Sequence, residues 1–283
     1  MEKVAVLGPG LLGGSIALAL RERAPECRVA LWARRSAAVE EILRAGVAHE
    51  ASTDLRPVVE GAQVVLFCVP IGAMPALAQA ILPHIGPQTL VTDVGSVKGP
   101  VVEALAPVFA RRGRFLGSHP MAGSEQSGLS AARADLFQGA TCILTPHEGV
   151  ERATVDALAA FWERLGCRLR ELPPREHDET IGLVSHLPHL LAAVLVDFVH
   201  GENPAAARYC GNGFRDTTRI ASGPVPMWRE ILTSNREALS GMLERLITRL
   251  QGVSDDFRTG NEASLESLLA NAKEQRDRLK PNL

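Results

Sequence analysis

Aromatic residues and unbalanced charge are both scarce in this sequence. Phe, Trp and Tyr make up 4% of the 283 residues, with a single tyrosine, and the formal net charge is −2. Nucleic-acid binding needs a basic surface or stacking aromatics, and an anionic membrane attracts basic clusters. We therefore expect neither nucleic acid nor a membrane as a partner. Hydrophobic residues at 46% and charged residues at 22% are typical of a globular protein.

Paired cysteines and long apolar runs are also missing. The five cysteines are odd in number and form no C-x-x-C pair. This argues against a disulfide framework and a cysteine zinc site, and we expect no bound metal. No apolar run reaches transmembrane length, and the N-terminus leads directly into a strand-like segment at residues 4–7 without a signal-peptide pattern. These absences favour a cytoplasmic protein.

Short β-rich runs alternate with amphipathic stretches over the first 170 or so residues. Such alternation predicts βαβ units and an α/β fold with a Rossmann-type, doubly wound parallel sheet. The predicted strands cover residues 4–7, 28–32, 64–69, 89–93, 115–117, 142–145 and 168–172. The predicted helices between them cover residues 12–23, 37–45, 74–85, 97–111 and 151–165.

The pattern changes at Pro173-Pro174, which we interpret as a domain boundary. A dinucleotide-binding domain is predicted over residues 1–173, followed by an all-helical substrate and dimerisation domain over residues 174–283. Amphipathic stripes on the last helices need a partner, and a homodimer interface is the simplest one. The helical patterns cover residues 176–201, 213–221, 227–253 and 262–280.

A G-x-G-x-x-G motif lies directly between a predicted strand and a predicted helix, at Gly8, Gly10 and Gly13. Gly8 permits a tight turn, Gly10 lets a pyrophosphate approach the backbone, and Gly13 allows close packing. The helix N-terminus at Leu11 and Leu12 offers free N–H groups and a partial positive charge to phosphates. The motif predicts a dinucleotide cofactor, and a glycine-rich turn without a ligand is the alternative.

The end of the second predicted strand bears on the choice between NAD and NADP. NAD binders place Asp or Glu there to hold the ribose 2′-hydroxyl. This sequence has Arg34, Arg35 and Ser36 instead, and no carboxylate before Glu40. Guanidinium groups match phosphate geometry, so we predict NADP as the preferred cofactor. NAD remains the alternative, with the arginines only stacking on adenine. The predicted cofactor site also includes Val69 and Pro70.

Several further motifs together resemble the prephenate/arogenate dehydrogenase family of tyrosine biosynthesis. They follow the glycine turn in the family's order and extend to residue 228. The resemblance implies two-domain dimers that oxidatively decarboxylate prephenate or arogenate with a nicotinamide cofactor. The matching segments are GPGLLGGS at 8–15, DVGSVK at 93–98, GSHPMAGSE at 117–125, SHLPH at 185–189, FRDTTRIA at 214–221, and Trp228.

The chemistry that the resemblance implies requires a general base. Hydride leaves the carbinol carbon for the nicotinamide, the hydroxyl loses its proton, and loss of CO2 makes the ring aromatic. A neutral histidine suits this proton transfer near pH 7. We assign the role to His119, in a glycine-rich loop predicted after a strand, where Pro120 keeps it out of the α region. A loop histidine bonded to the backbone is the alternative.

Two more residues receive roles in the reaction. Ser96 resembles the family serine that contacts the substrate hydroxyl and the nicotinamide, with an N-cap of helix 97–111 as the other reading. Lys98 is interpreted as a solvated first-turn lysine without a role. Arg219 is assigned to a substrate carboxylate, which Arg binds bidentately, and Asp216 would orient it from the same helical face. A surface ion pair is the alternative.

The resemblance also implies roles near the substrate for three other residues. His189 resembles the family histidine that contacts substrate, and its presence favours prephenate over arogenate. Glu125 resembles a glutamate at the active-site mouth, or it is a surface carboxylate. Trp228 resembles a tryptophan that reaches the site near the dimer interface, or it packs in the core. His186 is interpreted as a core histidine, and His177 as an ordinary one.

Together these features predict a prephenate dehydrogenase that forms 4-hydroxyphenylpyruvate with NADP or NAD. An arogenate dehydrogenase that forms tyrosine directly is the alternative within the family. A non-catalytic NADP-sensing protein would keep the glycine turn, but it would have no need for His119, Ser96 and Arg219 together.

Overall fold

The computed structural model describes residues 1–123 and 126–279. The chain forms two compact units, Met1–Asn235 and Arg236–Leu283. The predicted domain boundary at residue 173 lies inside the first of these units, and as a boundary between functional domains it stays a prediction.

The first unit contains a six-stranded parallel sheet, which confirms the predicted Rossmann-type fold. Its strands are β1 (Lys3–Leu7), β2 (Arg28–Trp32), β3 (Glu50–Ser52), β4 (Val64–Phe67), β5 (Leu90–Asp93) and β6 (Arg114–Phe115). They lie in the order β3-β2-β1-β4-β5-β6, and all paired strands are parallel. The direction of winding reverses between β1 and β4. In such sheets this switch point opens a crevice for a nucleotide at the carboxyl ends of the strands.

Hydrophobic cores cover both faces of this sheet. Successive strand residues point to opposite faces, so Val4 and Val6 belong to one core and Ala5 and Leu7 to the other. The helices of this part are α1 (Leu11–Arg23), α2 (Ser36–Arg44), α3 (Leu55–Val59), α4 (Met74–Ile81), α5 (Gly99–Phe109) and α6 (Arg152–Arg164). The sequence analysis missed β3 and α3, because three to five residues are too few to show a period.

A second sheet has three strands, β7 (Gly117–Pro120), β8 (Thr141–Thr145) and β9 (Arg168–Glu171). β7 is antiparallel to β8, and it places His119 opposite Ile143. The prediction that His119 lies in a loop was therefore wrong. β7 is an edge strand, where Pro120 is tolerated at the end because no N–H is needed there.

Among the described residues beyond 176, every element is helical. The elements of the first unit are α7 (Pro174–Ile181), a π turn (Gly182–His186), α8 (Leu187–Glu202), α9 (Asn212–Thr218) and α10 (Val225–Ser234), with 3₁₀ turns at Pro204–Tyr209 and Arg219–Ser222. In the second unit, α11 (Arg236–Thr259) packs with α12 (Glu262–Arg278). The predicted helix 227–253 was wrong, because the chain turns at Asn235 and forms two helices.

The segment from α7 to α8 is one helical stretch of 29 residues, Pro174–Glu202. In the π turn, the N–H of Leu187 bonds the carbonyl of Gly182, five residues earlier. Within the described chain, this stretch is long and apolar enough to cross a membrane, judged by length and composition alone. An 18-residue window in it has a mean hydropathy of 1.7. This differs from the expectation that no apolar run reaches transmembrane length. Core helices of globular proteins have the same property.

Candidate active site

The glycine turn between β1 and α1 is closely packed at two glycines and open at the third. Gly8 has a φ of +118°, and a Cβ there would lie 2.4 Å from the carbonyl oxygen of Cys68. A Cβ on Gly13 would lie 2.0 Å from the oxygen of Gly8, whereas a Cβ on Gly10 would meet no atom within 4 Å. Gly10 is also the N-cap of α1 and supplies no side chain to its N–H groups. This arrangement fits a pyrophosphate passing over Gly10.

A cavity of about 790 Å³ lies at the carboxyl ends of β1, β4 and β5. Ala122 and Gly123, which follow the His119 strand, contribute to its wall, as does Glu230 of α10. Its size suits a ligand that is largely enclosed. The predicted site residues that line the cavity are Gly10, Leu11, Leu12, Val69, Pro70 and Ser96.

Arg34, Arg35 and Ser36 lie at the end of β2, and all three are exposed. The glycine turn is adjacent, because the N–H of Gly8 donates to the carbonyl of Trp32 at 3.0 Å. Within the described part of the chain, neither arginine forms an ion pair. Their guanidinium groups are thus available to an anionic ligand beside the turn.

Glu230 holds the loop that follows β4. Its carboxylate accepts hydrogen bonds from the N–H of Ile71 at 3.1 Å and from the N–H of Gly72 at 2.5 Å. These two groups begin the 3₁₀ turn Ile71–Ala73, so α10 caps that turn. No sequence motif pointed to Glu230, since its partners are 158 and 159 residues away.

A buried hydrogen-bonded chain joins His119 to two residues of α7. Nδ1 of His119 lies 2.9 Å from Nε2 of His177, and Nδ1 of His177 lies 2.8 Å from Oδ1 of Asp178. His119 is 7% exposed and His177 is fully buried. The interpretation of His177 as an ordinary histidine was wrong.

The hydrogen-bond directions follow from the carboxylate at the end of this chain. Asp178 accepts from the backbone N–H groups of Lys98 and Gly99, so it acts as an acceptor. His177 must then carry its proton on Nδ1 and accept at Nε2. His119 therefore donates from Nδ1, which leaves the lone pair of its Nε2 unprotonated. That atom has no hydrogen-bond partner among the described residues.

The surroundings keep His119 neutral. Burial, followed by the nearby His177, Lys98 and His186, holds the pKa of His119 well below 6.5. Burial also lowers the pKa of His177, against the opposing effect of Asp178. The arrangement can accept a proton from a substrate hydroxyl, which is the chemistry of a general base.

Lys98 is fully buried, so the interpretation as a solvated lysine was wrong. Its ammonium pairs with the buried carboxylate of Asp93 and donates to the carbonyl of Ser118 at 2.9 Å. α5 begins at Gly99, and Asp178 accepts from its first N–H groups at 2.7 and 2.8 Å. Ser96 therefore does not cap this helix, and its side chain belongs to the wall of the cavity.

His189 and Trp228 form a stacked pair, with ring centroids 3.5 Å apart and planes inclined by 10°. Gly223 packs against both rings, and a Cβ there would lie 2.3 Å from Nε1 of Trp228. His189 is 5% exposed, and its Nδ1 has no partner in the described chain. His186 is a core histidine, as predicted: it is fully buried and bonded to Asn235 at 3.0 Å, and burial lowers its pKa to about 4.

Arg219 is exposed and begins the 3₁₀ turn that follows α9. The expected pair with Asp216 does not form: both residues are described, and no ion pair or hydrogen bond joins them. His119, His189, Trp228 and Arg219 are not among the residues that line the cavity. Glu125 lies outside the described residues.

Comparisons with known proteins cover both parts of the chain. Residues 16–171 match the family model "Prephenate dehydrogenase, nucleotide-binding domain", and residues 173–271 match "Prephenate dehydrogenase, dimerization domain". A prephenate dehydrogenase of Bacillus subtilis is 33% identical over 98% of this chain and 76% of its own length. A cyclohexadienyl dehydrogenase of Zymomonas mobilis is 32% identical over 88% of this chain and 86% of its own length.

Solved structures agree with these sequence matches. The prephenate dehydrogenase from A. aeolicus, in complex with hydroxyphenyl propionate and NAD+, has a TM-score of 0.93 at 29% identity, covering 99% of both chains. The Synechocystis arogenate dehydrogenase has a TM-score of 0.86 at 29% identity, covering 98% of this chain and 100% of its own. The chain described here therefore belongs to the prephenate dehydrogenase family and is an NAD(P)-dependent dehydrogenase.

Proposed function

We propose that this enzyme oxidises prephenate to 4-hydroxyphenylpyruvate and CO2, with NADP as its preferred cofactor. The observation that carries the proposal is the buried chain from Asp178 through His177 to His119, which favours a neutral base at Nε2 of His119. The glycine turn and the cavity belong to the same compact unit. The chain carries both family domains, and it is similar to relatives named for prephenate and for arogenate.

His119 performs the proton transfer in this proposal. Nε2 of His119 accepts the hydroxyl proton of the substrate while the carbinol carbon becomes a carbonyl, and Ser96 orients that hydroxyl. Bound nicotinamide supplies the hydride acceptor. The bond between the ring and its carboxylate then breaks, and its electron pair makes the ring aromatic. The ring oxygen ends as a phenol hydroxyl, for which His119 can return the proton.

Substrate binding is assigned to charged and aromatic residues of the helical part. Prephenate is a dianion and needs fixed positive charge, which the exposed Arg219 offers to one carboxylate. The turn that begins at Arg219 packs against α8, which carries His189. We assign substrate contact to His189 and Trp228, whose rings stack on each other. Glu125 keeps its proposed place at the site mouth.

The cofactor preference rests on Arg34, Arg35 and Ser36. Two guanidinium groups just beyond β2, which form no ion pair with the residues that the structure describes, favour a 2′-phosphate over a 2′-hydroxyl. We expect a higher kcat/KM with NADP than with NAD, and loss of that preference in Arg34→Ala/Arg35→Ala. Arg44→Ala, on an exposed position of α2, is the matched control. A clear preference of the unmodified enzyme for NAD would contradict this part of the proposal.

The assembly and location complete the proposal. The match to a dimerisation domain and the exposed apolar side chains of the α7–α8 stretch support a homodimer. The five cysteines are free thiols, which supports a reducing, cytoplasmic location.

One experiment tests the main proposal. The enzyme is incubated with prephenate, and separately with arogenate, while reduced cofactor is measured and the aromatic product is identified. We expect turnover of prephenate to 4-hydroxyphenylpyruvate. Preferential turnover of arogenate to tyrosine would support the second candidate, which the similarity to an arogenate dehydrogenase favours. No reduced cofactor with either substrate would overturn both.

A further inference from the structure

A lysine without exposed surface lies beside the histidine pair. The ammonium of Lys98 donates to the carbonyl of Ser118, the residue before His119, at 2.9 Å. The backbone N–H of Lys98 donates at 2.7 Å to Oδ1 of Asp178, and the same oxygen lies 2.8 Å from Nδ1 of His177. One residue thus contacts both the strand that carries His119 and the carboxylate that orients His177.

The ion pair that Lys98 forms is poorly suited to a purely stabilising role. Burying a lysine and a carboxylate together costs free energy, and apolar replacements of such pairs are often neutral or stabilising. The pair is also incompletely bonded, because Oδ1 of Asp93 has no partner among the described residues. Its position next to the candidate base offers another reason for the buried charge.

We propose that Lys98 is a positioning residue for the general base: it fixes His119 and His177 in one geometry, and its buried positive charge keeps both imidazoles unprotonated. This inference rests on the proposed function, in which neutral His119 accepts the substrate proton.

The charges around the histidine pair give the expected direction of the effect. The other titratable groups around the histidine pair are Asp178 of α7, His186 of the π turn, Asp93 at the end of β5, Lys98 before α5, and Cys142 of β8. The two carboxylates favour a proton on His177, whereas Lys98 disfavours a proton on either imidazole. Replacing Lys98 removes one of the charges that hold the pKa of His119 down, so His119 should bind a proton at higher pH.

The test replaces Lys98 and follows His119 directly. In protein labelled with ¹⁵N-histidine, NMR measures the titration of the His119 imidazole. The unmodified enzyme is compared with Lys98→Met and with Asp93→Asn/Lys98→Met. The double variant avoids leaving the buried carboxylate of Asp93 without its partner. We expect the pKa of His119 to rise by about one unit in Lys98→Met, and by less in the double variant, which also removes the negative charge of Asp93. The acid limb of the kcat profile should move to higher pH by the same amount, with KM for the cofactor unchanged.

Lys3→Met is the matched control. Lys3 also donates to two carbonyls, those of Pro57 and Glu60, at 2.8 and 2.9 Å, but at the amino end of β1. It should lower thermal stability without moving the His119 titration. The inference is overturned if His119 titrates at its original pH in Lys98→Met. If Lys98→Met does not fold, the same result in the double variant overturns it. Because NMR needs no turnover, a shifted titration in a protein inactive on prephenate would sink the proposed function and leave this inference standing.

Discussion

At the scale of single residues, hydrogen-bond direction decides which atom of His119 can act as a base. Asp178 accepts two backbone N–H bonds at the start of α5, and this keeps it an acceptor toward His177. The proton positions on both histidines follow from that one group. The same residue therefore caps a helix and selects the tautomer of the base.

Two substitutions should separate catalysis from substrate binding. His119→Asn removes the base, so kcat should fall by about 10²- to 10⁴-fold while cofactor affinity is kept. Arg219→Gln removes a charge offered to a carboxylate, so KM for prephenate should rise steeply with little change in kcat. Steady-state kinetics and cofactor titration measure both. Near-normal kcat in the first variant, or an unchanged KM in the second, would remove that residue from its role.

Asp178→Asn should disturb the base without removing it. The amide can present a donor to His177, so the two histidines lose their single fixed tautomer. We expect kcat to fall by at least about tenfold, as a share of the factor a positioned base supplies. Cofactor affinity should be unchanged. Asp156→Asn, an exposed residue paired with Arg152, is the control. Equal kcat in the two variants would show that the tautomer does not matter.

At the scale of elements, short irregular segments bring the candidate residues together. The edge strand β7 carries His119, and the π turn before Pro188 lets α7 and α8 continue as one helical stretch. Asn235 lies between α10 and α11, outside both helices. Its side-chain amide donates to the carbonyl of Asp178 and contacts His186. Local departures from regular geometry thus place polar groups where uninterrupted helices would not.

Gly10→Ala should weaken cofactor binding without disturbing the fold of the glycine turn. A methyl group there meets no protein atom within 4 Å, and Gly10 has a φ of −77°, so the protein should fold with an unchanged Tm. The methyl would occupy the space that the pyrophosphate approaches, and KM for the cofactor should rise by about tenfold or more. In Gly13→Ala, the added Cβ would lie 2.0 Å from the oxygen of Gly8, so this variant should also have a lower Tm. Unchanged cofactor binding in Gly10→Ala would mean that the phosphates take another route.

At the scale of the whole molecule, the main feature is the apolar surface of the α7–α8 stretch. Leu183, Val184, Val194 and Phe198 are each more than half exposed. Several exposed apolar side chains on one helical stretch indicate an interaction surface. The family model for this part is a dimerisation domain, in agreement with such a role.

Phe198→Glu should weaken the homodimer. Phe198 is 61% exposed, and burying a new carboxylate in an apolar interface is unfavourable. Sedimentation equilibrium should give about twice the chain mass for the unmodified enzyme, and a shift toward the monomer for the variant. Leu43→Glu, on the exposed side of α2, should leave the mass unchanged. A monomeric unmodified enzyme would contradict the proposed assembly.

Acid should destabilise the protein well before its carboxylates titrate. Burial lowers the pKa of His119, His177, His186 and His189, with His186 at about 4. An unfolded histidine titrates near about 6.5, so below that pH the unfolded chain binds more protons than the folded one. Stability should therefore be complete above about pH 6.5 and be lost as pH falls toward about 4.

Thermal melts across this pH range test the linkage. His186→Gln should give a shallower fall in Tm, because one buried imidazole no longer competes for a proton. His200→Gln, at an exposed position, should give the same fall as the unmodified protein. A Tm that does not change between about pH 7 and about pH 5 would contradict the prediction that buried histidines destabilise the protein in acid.

Features that depend on local backbone geometry and periodicity could be predicted from the amino-acid sequence. The spacing of Gly8, Gly10 and Gly13 between a strand and a helix identifies the cofactor turn, because only glycine fits two of these positions. Alternating strands and helices identify the parallel sheet, and Arg34 lies two residues beyond the end of β2. His119 and Ser96 were assigned roles through motifs that also lie within short segments, and these roles stay predictions.

The surroundings of His119 become visible in the folded chain, because they are formed by residues far apart in the sequence. His177 lies 58 residues from His119, and the bond between Asp178 and Lys98 spans 80 residues. Such contacts leave no periodic pattern in a sequence, since they depend on how α7 packs against α5 and β8. Burial is also a property of the folded chain: it turned Lys98 from an expected surface lysine into a charge beside the base. Desolvation in that packed interior is what lowers the pKa of His119 and keeps it ready to accept a proton.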